Sequence, residues 1–356
     1  MVYAISRAAR WLSAIYLVAA AYGASAEEGR PAVMDRPARE VLQPASTFLL
    51  GVAKAGDRLV AVGESGRIVL SDDHGQSWHQ AKVPTSVLLT AVAFADANIG
   101  WAVGHSGVVL RTEDRGENWS RQLDGAQVAQ LIFDNSSRSA TSGRGAMYGM
   151  SVDQAERLIK DGPDKPFLAL QVEDTQNVTI VGAFGYALRT VDGGKHWVSL
   201  DIELKNPMGL HYYGIVKTLE GLLLVGEQGI VQRQTTVDQF HAQNSSEGTL
   251  FGVMSVGNQA FIAYGLRGKV LCSVDNGKTW NSVNSGIEAS IQAGTVLPDG
   301  AIILVAENGQ MISSHNRGST FNLLPAWVQP TAYVLPVSEK SLIAVGPLGP
   351  QTVLVP

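Results

Sequence analysis

Four short runs of alternating apolar and polar residues, FLLGVAKAG, DRLVAVGES, GRIVLSDDHG and QSWHQAKV, follow one another without a gap from residue 48 to 83. Alternation gives a strand one apolar and one polar face. The Gly and Asp residues between the runs are turn formers, so the segment predicts a four-stranded antiparallel meander. The meander recurs. A small-residue tip (VGESG, VGHSG, VGAFG, VGEQG, YGLRG, AENG, VGPLG) returns with its first small residue at 63, 104, 182, 226, 265, 306 and 346. All but one of these steps are close to 40 residues, the spacing of a radial array of small sheets. The predicted fold is all-β: a seven-bladed β-propeller with four-stranded blades. The seventh unit ends after three runs, and REVLQPAS (39 to 46) is expected to supply its fourth strand and close the ring.

A second element, Ser/Thr-x-Asp-x-Gly-x-x-Trp, follows each tip in SDDHGQSW (71 to 78), TEDRGENW (112 to 119), TVDGGKHW (190 to 197) and SVDNGKTW (273 to 280), and more weakly in SHNRGSTF (314 to 321). Recurrence on this scale argues against a catalytic role. The Asp carboxylate can accept turn N–H groups, the Gly can take a left-handed conformation, and the Trp can pack between blades. Asp73, Trp78, Asp114, Trp119, Asp192, Trp197, Asp275 and Trp280 are therefore read as structural.

The one long step, 78 residues, contains an insertion at about 124–165. Val128, Leu131 and Ile132 fit one helical stripe, and Val152, Ala155, Leu158 and Ile159 fit a second. Ser151 with Gln154 forms a capping box, and Gly162-Pro163 closes the second helix. SSRSATSGRG (136 to 145) reads as a flexible connection. The seven-unit ring does not need the insertion for closure, and helices this short must lay their stripes on the funnel rim or on a partner. The insertion rises on the face that carries the tips. That face is the expected binding surface, with Glu64, His105, Phe184, Glu227, Arg267 and Glu307 as its crown.

The first residues change the picture of location. Arg7 and Arg10 precede an apolar run (11 to 24) and an Ala-Ser-Ala site, so residues 1–26 read as a signal peptide and 27–356 as one exported propeller domain. A retained anchor is the alternative. The body is expected to be periplasmic or lumenal, soluble or peripheral to a membrane, and monomeric on its own. Net charge is −5 and no basic run interleaves with aromatics, which argues against nucleic acid. Cys272 is the single cysteine, read as a small buried hydrophobe; no disulfide, metal site or cofactor is expected.

The tips and boxes, repeated through nearly the whole chain after an export signal, resemble the photosystem II assembly and stability factor family of chloroplasts and cyanobacteria. The boxes alone are shared with sialidases. The resemblance implies a non-catalytic propeller that binds a membrane protein or envelope complex as an assembly factor. The helical insertion resembles bacterial relatives that accompany resistance-nodulation-division (RND) exporters, which implies an exporter as client.

Two alternatives come from the residues themselves. A sialidase-like glycoside hydrolase needs an Arg cluster and acid/base groups near the axis. The runs expected to line it (FLLGVA, LLTAVAF, FLALQV, YYGIVK, LFGVMS, IQAGTV and AYVLPV) hold no Arg, Asp, Glu or His. Tyr212, Tyr213 and Tyr333 are the hydroxyls that remain, and their rings would serve a carbohydrate-binding propeller as stacking platforms. Arg111, Arg189 and Arg233 share a register before the boxes and are read as blade-edge salt-bridge partners.

Overall fold

The computed structural model describes residues 32–141, 150–236, 239–244, 248–257 and 259–356, so the expected signal peptide lies outside the described residues. The alternating runs form seven antiparallel sheets, six of four strands and one of three. Sheet 1 is Leu49–Ala55, Arg58–Gly63, Ile68–Ser71 and His79–Gln80; sheet 2 is Leu89–Phe94, Gly100–Gly104, Val109–Thr112 and Ser120–Leu123. Sheets 3 to 6 begin at Phe167–Val172, Tyr212–Lys217, Leu250–Ser255 and Ile291–Val296, and sheet 7 is Tyr333–Ser338, Ser341–Gly346 and Gly349–Leu354. The first strand of each sheet lies beside the first strand of the next, and that of sheet 7 lies beside that of sheet 1. Second strands such as Gly100–Gly104 and Leu222–Gly226 are buried along their whole length. Covered on both faces by neighbouring sheets, they are continuous apolar runs and not alternating ones.

In the tips of sheets 1 to 5 the two central residues of the hairpin are left-handed, whereas in sheets 6 and 7 only Gly309 and Gly349 are. In sheet 1, Ser65 has φ 57 and Gly66 φ 68, the geometry that matches the twist of paired strands. The preceding Gly63 is extended, and its requirement is space: a Cβ there would stand 2.0 Å from the Phe48 carbonyl oxygen.

The boxes are hydrogen-bonded turns seated on the neighbouring sheet. Asp73 Oδ1 accepts from the Ser71 hydroxyl (2.8 Å) and from the N–H groups of Gln76 (3.0 Å) and Ser77 (2.9 Å). Asp114, Asp192 and Asp275 accept in the same way from the N–H groups of Asn118, His196 and Thr279, each at 2.9 Å. In the weak fifth copy Asn316 replaces the Asp and accepts from Thr320 N–H at 3.0 Å. Two consecutive residues are left-handed, not the Gly alone: His74 (φ 59) and then Gly75 (φ 91) in the first box. The box of one sheet packs on the previous one: a Cβ on Gly116 would meet Leu70 of sheet 1 at 3.3 Å, and one on Gly75 would meet Ile343 of sheet 7 at 2.7 Å. Trp78, Trp119, Trp197 and Trp280 join the apolar clusters at these joints, and Trp119 donates its ring N–H to the Gly116 carbonyl at 2.8 Å.

These bonds hold the Asp73 carboxyl at about 2, chiefly through the Ser77 hydroxyl and N–H. Its unfolded value is about 3.9. The stabilisation is therefore complete above that value and is lost as pH falls toward the folded pKa. The melting temperature should drop between about pH 4 and pH 2, and Asp73→Asn should flatten that drop in a pH series of thermal melts. Asp275→Ala should cost about 1–3 kcal/mol in denaturant unfolding, because the buried Ser273 hydroxyl loses its acceptor and the turn N–H groups of Lys278 and Thr279 lose theirs to water.

The insertion forms α1 (Gly125–Thr141) and α2 (Val152–Asp161). Asp124 Oδ1 accepts from the N–H groups of Ala126 and Gln127 to start α1. At α2 the capping box is reciprocal: Gln154 N–H donates to Ser151 Oγ (3.2 Å) and Ser151 N–H donates to Gln154 Oε1 (2.9 Å). Gly162 ends α2 at φ 82. Residues 136–141, expected to be flexible, are helical, because Ser136 and Ser139 are small enough to be buried there. The rest of that stretch lies outside the described residues. Val128, Ile132, Ala155 and Leu158 share one buried cluster with Trp101, Val103 and Tyr186 of sheets 2 and 3. The stripes lie on the protein's own rim.

The N-terminal expectation is corrected. Residues 39–46 form no strand, and sheet 7 keeps three. The chain instead straps the joint of sheets 1 and 2: Ala38 N–H donates to Val83 O (3.0 Å), Ser86 N–H to Val33 O (2.8 Å) and the Arg121 guanidinium to Met34 O (2.6 Å). Met34 is wholly buried in the cluster those sheets share. Met34→Ala should lower stability by about 2–5 kcal/mol, read by thermal or urea melting. Sheet 7 meets sheet 1 by packing, with Ile343 and Val345 against Leu49, Leu59 and Val69.

Candidate partner-binding face

The tip residues fall into two classes. Glu64, His105, Glu227 and Glu307 directly follow the first small residue of the tip, whereas Phe184 and Arg267 stand one place later, at the left-handed position (φ 57 and 55). The six are therefore not equivalent, as the sequence reading had them. At the first place the backbone N–H donates back to the strand below: Glu64 to Phe48 O and Glu227 to His211 O, both at 2.9 Å. The glutamates also turn their carboxylates down, accepting from the N–H groups of Phe48 (3.3 Å), His211 (3.2 Å) and Ser290 (3.3 Å). The Thr47 hydroxyl, at 2.6 Å, is the main cause that holds the Glu64 carboxyl below the usual carboxylate range. His105 lies at the start of α1, and burial pushes its imidazole below the usual value. Phe184 and Arg267, at the second place, are exposed, whereas Ser106 at the same place in sheet 2 is buried.

Phe184 is 45% exposed and begins a continuous aromatic run. Its ring centroid is 5.0 Å from His211, His211 is 6.1 Å from Tyr213, and Tyr213 is 5.9 Å from Phe251. The last two pairs meet edge to face, a geometry favoured by ring quadrupoles. The Lys165 ammonium stands over the Phe184 ring at 5.1 Å and is held there by Asp161 and Asp164 at the end of the insertion. The run descends from the rim of sheet 3 across the starts of sheets 4 and 5. Sequence reasoning missed His211 and Phe251. The signal was available, because His211 directly precedes an inner strand and Phe251 occupies the place in sheet 5 that Tyr213 occupies in sheet 4.

The run ends in the central channel. First strands of all seven sheets line a cavity of about 310 Å³ whose wall carries Tyr213, Phe251, Tyr264 and Tyr333 and no Asp, Glu, His, Lys or Arg. Burial, with the Glu227 carboxylate nearby, pushes the Tyr213 phenol up. Tyr212, one residue earlier, points the other way into the core between sheets 3 and 4. Tyr264 reaches the channel from a second strand, over Gly252: a Cβ there would stand 2.4 Å from its ring. This wall offers apolar contact and phenol hydroxyls, with none of the paired carboxylates or Arg cluster of a glycosidase.

The register-sharing arginines are placed at blade edges. Arg111 pairs with Glu113 and stacks on Trp101 at 5.4 Å, Arg233 pairs with Glu220 at 2.6 Å, and Arg189 donates to the Gln234 amide at 3.4 Å, so it has no carboxylate partner among the ion pairs of the described residues. Cys272 is buried, and burial pushes its thiol up.

Among known proteins, a model of the photosynthesis system II assembly factor YCF48 family matches residues 70–143, from the third strand of sheet 1 into the insertion. No curated protein sequence matches. Similar solved structures include YCF48 bound to D1 peptide, at 17% identity and TM-score 0.62, covering 90% of this chain and 99% of that one. They also include YCF48 from Cyanidioschyzon merolae, at 14% identity and TM-score 0.62 with 90% and 98% covered. The WD40 β-propeller domain of Doa1 follows at 12% identity and TM-score 0.61, with 90% and 95% covered. The shared architecture makes this chain a β-propeller, and its residues 70–143 are similar to the YCF48 family.

Proposed function

We propose that this protein is a non-catalytic assembly or stability factor that holds a segment of a membrane protein or envelope complex on its tip-bearing face. The observation that carries the reading is the aromatic run from Phe184 through His211 and Tyr213 to Phe251, exposed at Phe184 and leading into an uncharged channel. Large rings ordered by their neighbours lose little freedom on binding, which is why aromatic residues dominate interface energetics. The solved YCF48 that holds a D1 peptide supports a peptide segment as the ligand class. An exported, periplasmic location follows from the signal peptide read in residues 1–26, and an RND-type exporter is the client we favour. The boxes, on this reading, serve blade packing, and the protein acts as a monomer.

The test is affinity for solubilised membrane proteins in the full-length chain and in Arg267→Ala, Phe184→Ala and Tyr213→Ala. Loss confined to the two aromatic variants supports the reading. A glycan array is the parallel measurement for the carbohydrate alternative, and binding there with no protein capture would replace this proposal.

A further inference from the structure

The chain contains two Asn-Gly pairs, Asn276-Gly277 in the box of sheet 5 and Asn308-Gly309 in the tip of sheet 6. In such a pair the side-chain amide is open to attack by the next backbone nitrogen, because glycine has no Cβ to obstruct ring closure. The fold treats the two differently. Asn276 is 3% exposed and left-handed (φ 64), and the Gly277 N–H donates to the Ser273 hydroxyl at 2.9 Å. Asn308 is exposed, and at the place where Ser65, Ser106, Phe184, Gln228 and Arg267 are left-handed it is not. Hydrogen bonds converge on it. The Gln310 N–H donates to Asn308 Oδ1 at 3.1 Å, which turns the side chain forward along the chain, and Asn308 Nδ2 donates to Gln310 Oε1 at 2.7 Å. The Trp327 indole N–H donates to the Asn308 backbone oxygen at 2.7 Å. The Trp327 ring lies against Gly309, where a Cβ would stand 2.4 Å from its Nε1.

We propose that Asn308-Gly309 is a self-modification site, at which the folded tip promotes conversion of Asn308 to aspartate and isoaspartate. The Gly309 nitrogen, released from its bond to the Ala306 oxygen (2.9 Å), bonds to Asn308 Cγ. The Cγ–Nδ2 bond breaks, and ammonia leaves with the proton that Gly309 gave up. Water then opens the five-membered imide at either carbonyl, and nothing is oxidised or reduced. Loss of the Gly309 proton spreads negative charge onto the Asn308 backbone oxygen, where the Trp327 N–H already points. Attack on Cγ places negative charge on Oδ1, where the Gln310 N–H already points. Donors set in advance on atoms that gain charge lower the barrier. The product carries a new carboxylate beside Glu307 on the tip-bearing face, and in isoaspartate the oxygen held by Trp327 belongs to that carboxylate. This site stands or falls without the aromatic run.

The full-length protein is incubated in mildly alkaline buffer, folded or unfolded in urea, and both pairs are followed by peptide mapping with electron-transfer fragmentation, which separates aspartate from isoaspartate. In urea the two pairs should convert alike. In the folded protein position 308 should convert at least as fast as in urea, and position 276 roughly tenfold more slowly or less, since its box must open first. Trp327→Phe removes the indole donor and keeps a ring against Gly309; it should slow the folded reaction at 308 about fivefold. Asn308→Gln should end the reaction there. Slower conversion at 308 in the folded protein than in urea, or an undiminished rate in folded Trp327→Phe, would overturn the proposal. Should Trp327→Phe fail to fold, the comparison of folded with unfolded protein decides alone.

Discussion

Replacing residues 124 to 165 by a short Gly/Ser linker is expected to lower the melting temperature sharply or to prevent folding. The seven sheets need no insertion for their connectivity, but Val128, Ile132 and Leu158 are buried against Trp101, Val103 and Tyr186. Fully burying one such side chain is worth about 1.5–3 kcal/mol. Removing them together forfeits roughly 5 kcal/mol or more, an appreciable part of the 5–15 kcal/mol typical of a folded domain. Trp101, wholly buried at present, would meet water as well. Circular dichroism melts and a hydrophobic dye would read the loss. An unchanged melting curve would mean that the helices are an appendage and that their apolar stripes serve something outside the protein.

The second large effect concerns binding without stability. Phe184 is partly exposed at a left-handed tip, where a turn needs no aromatic ring. Its ring meets the Lys165 ammonium and the His211 ring. An exposed cation–ring contact contributes about 0.5–1 kcal/mol, so Phe184→Ala should shift melting only slightly. If the ring anchors a partner, its loss should cost about 2 kcal/mol or more of affinity, roughly thirtyfold. Tyr213→Ala should behave alike, since it interrupts the run between His211 and Phe251. Titration calorimetry or surface resonance with a captured membrane partner would measure both.

The parts of this fold that were legible in the sequence are those fixed by neighbouring residues. Ser71, Asp73 and Ser77 complete a turn among themselves, so the box reads from eight letters, and the recurrence of tip and box reveals the seven sheets. The capping box of α2 is local in the same sense. What escaped depends on distant partners. REVLQPAS carries two large apolar residues, yet Val41 and Leu42 are both exposed, while Met34 a few residues earlier finds the buried space between sheets 1 and 2. Nothing local distinguishes them. The candidate site failed through register. Tyr212 and Tyr213 are adjacent, and successive strand residues face opposite ways, so only one can line the channel. Likewise, a shift of one place within the tips separates the back-turned glutamates from the outward Phe184 and Arg267. Tyr264 was hidden because its route to the axis passes over a glycine in a different strand.

The central claim is that the aromatic face, and not the box-bearing face, meets a membrane protein. The most direct measurement places a photo-crosslinking phenylalanine analogue at Phe184 in one protein and at Val274, an exposed box residue, in another. Both are irradiated in intact membranes of the source cells, and the adducts are identified by mass spectrometry. The account predicts a discrete membrane-protein adduct from position 184 that is absent from position 274 and disappears when Tyr213→Ala is added. A discrete adduct from position 274 with none from 184, or a 184 adduct indifferent to Tyr213, would contradict it.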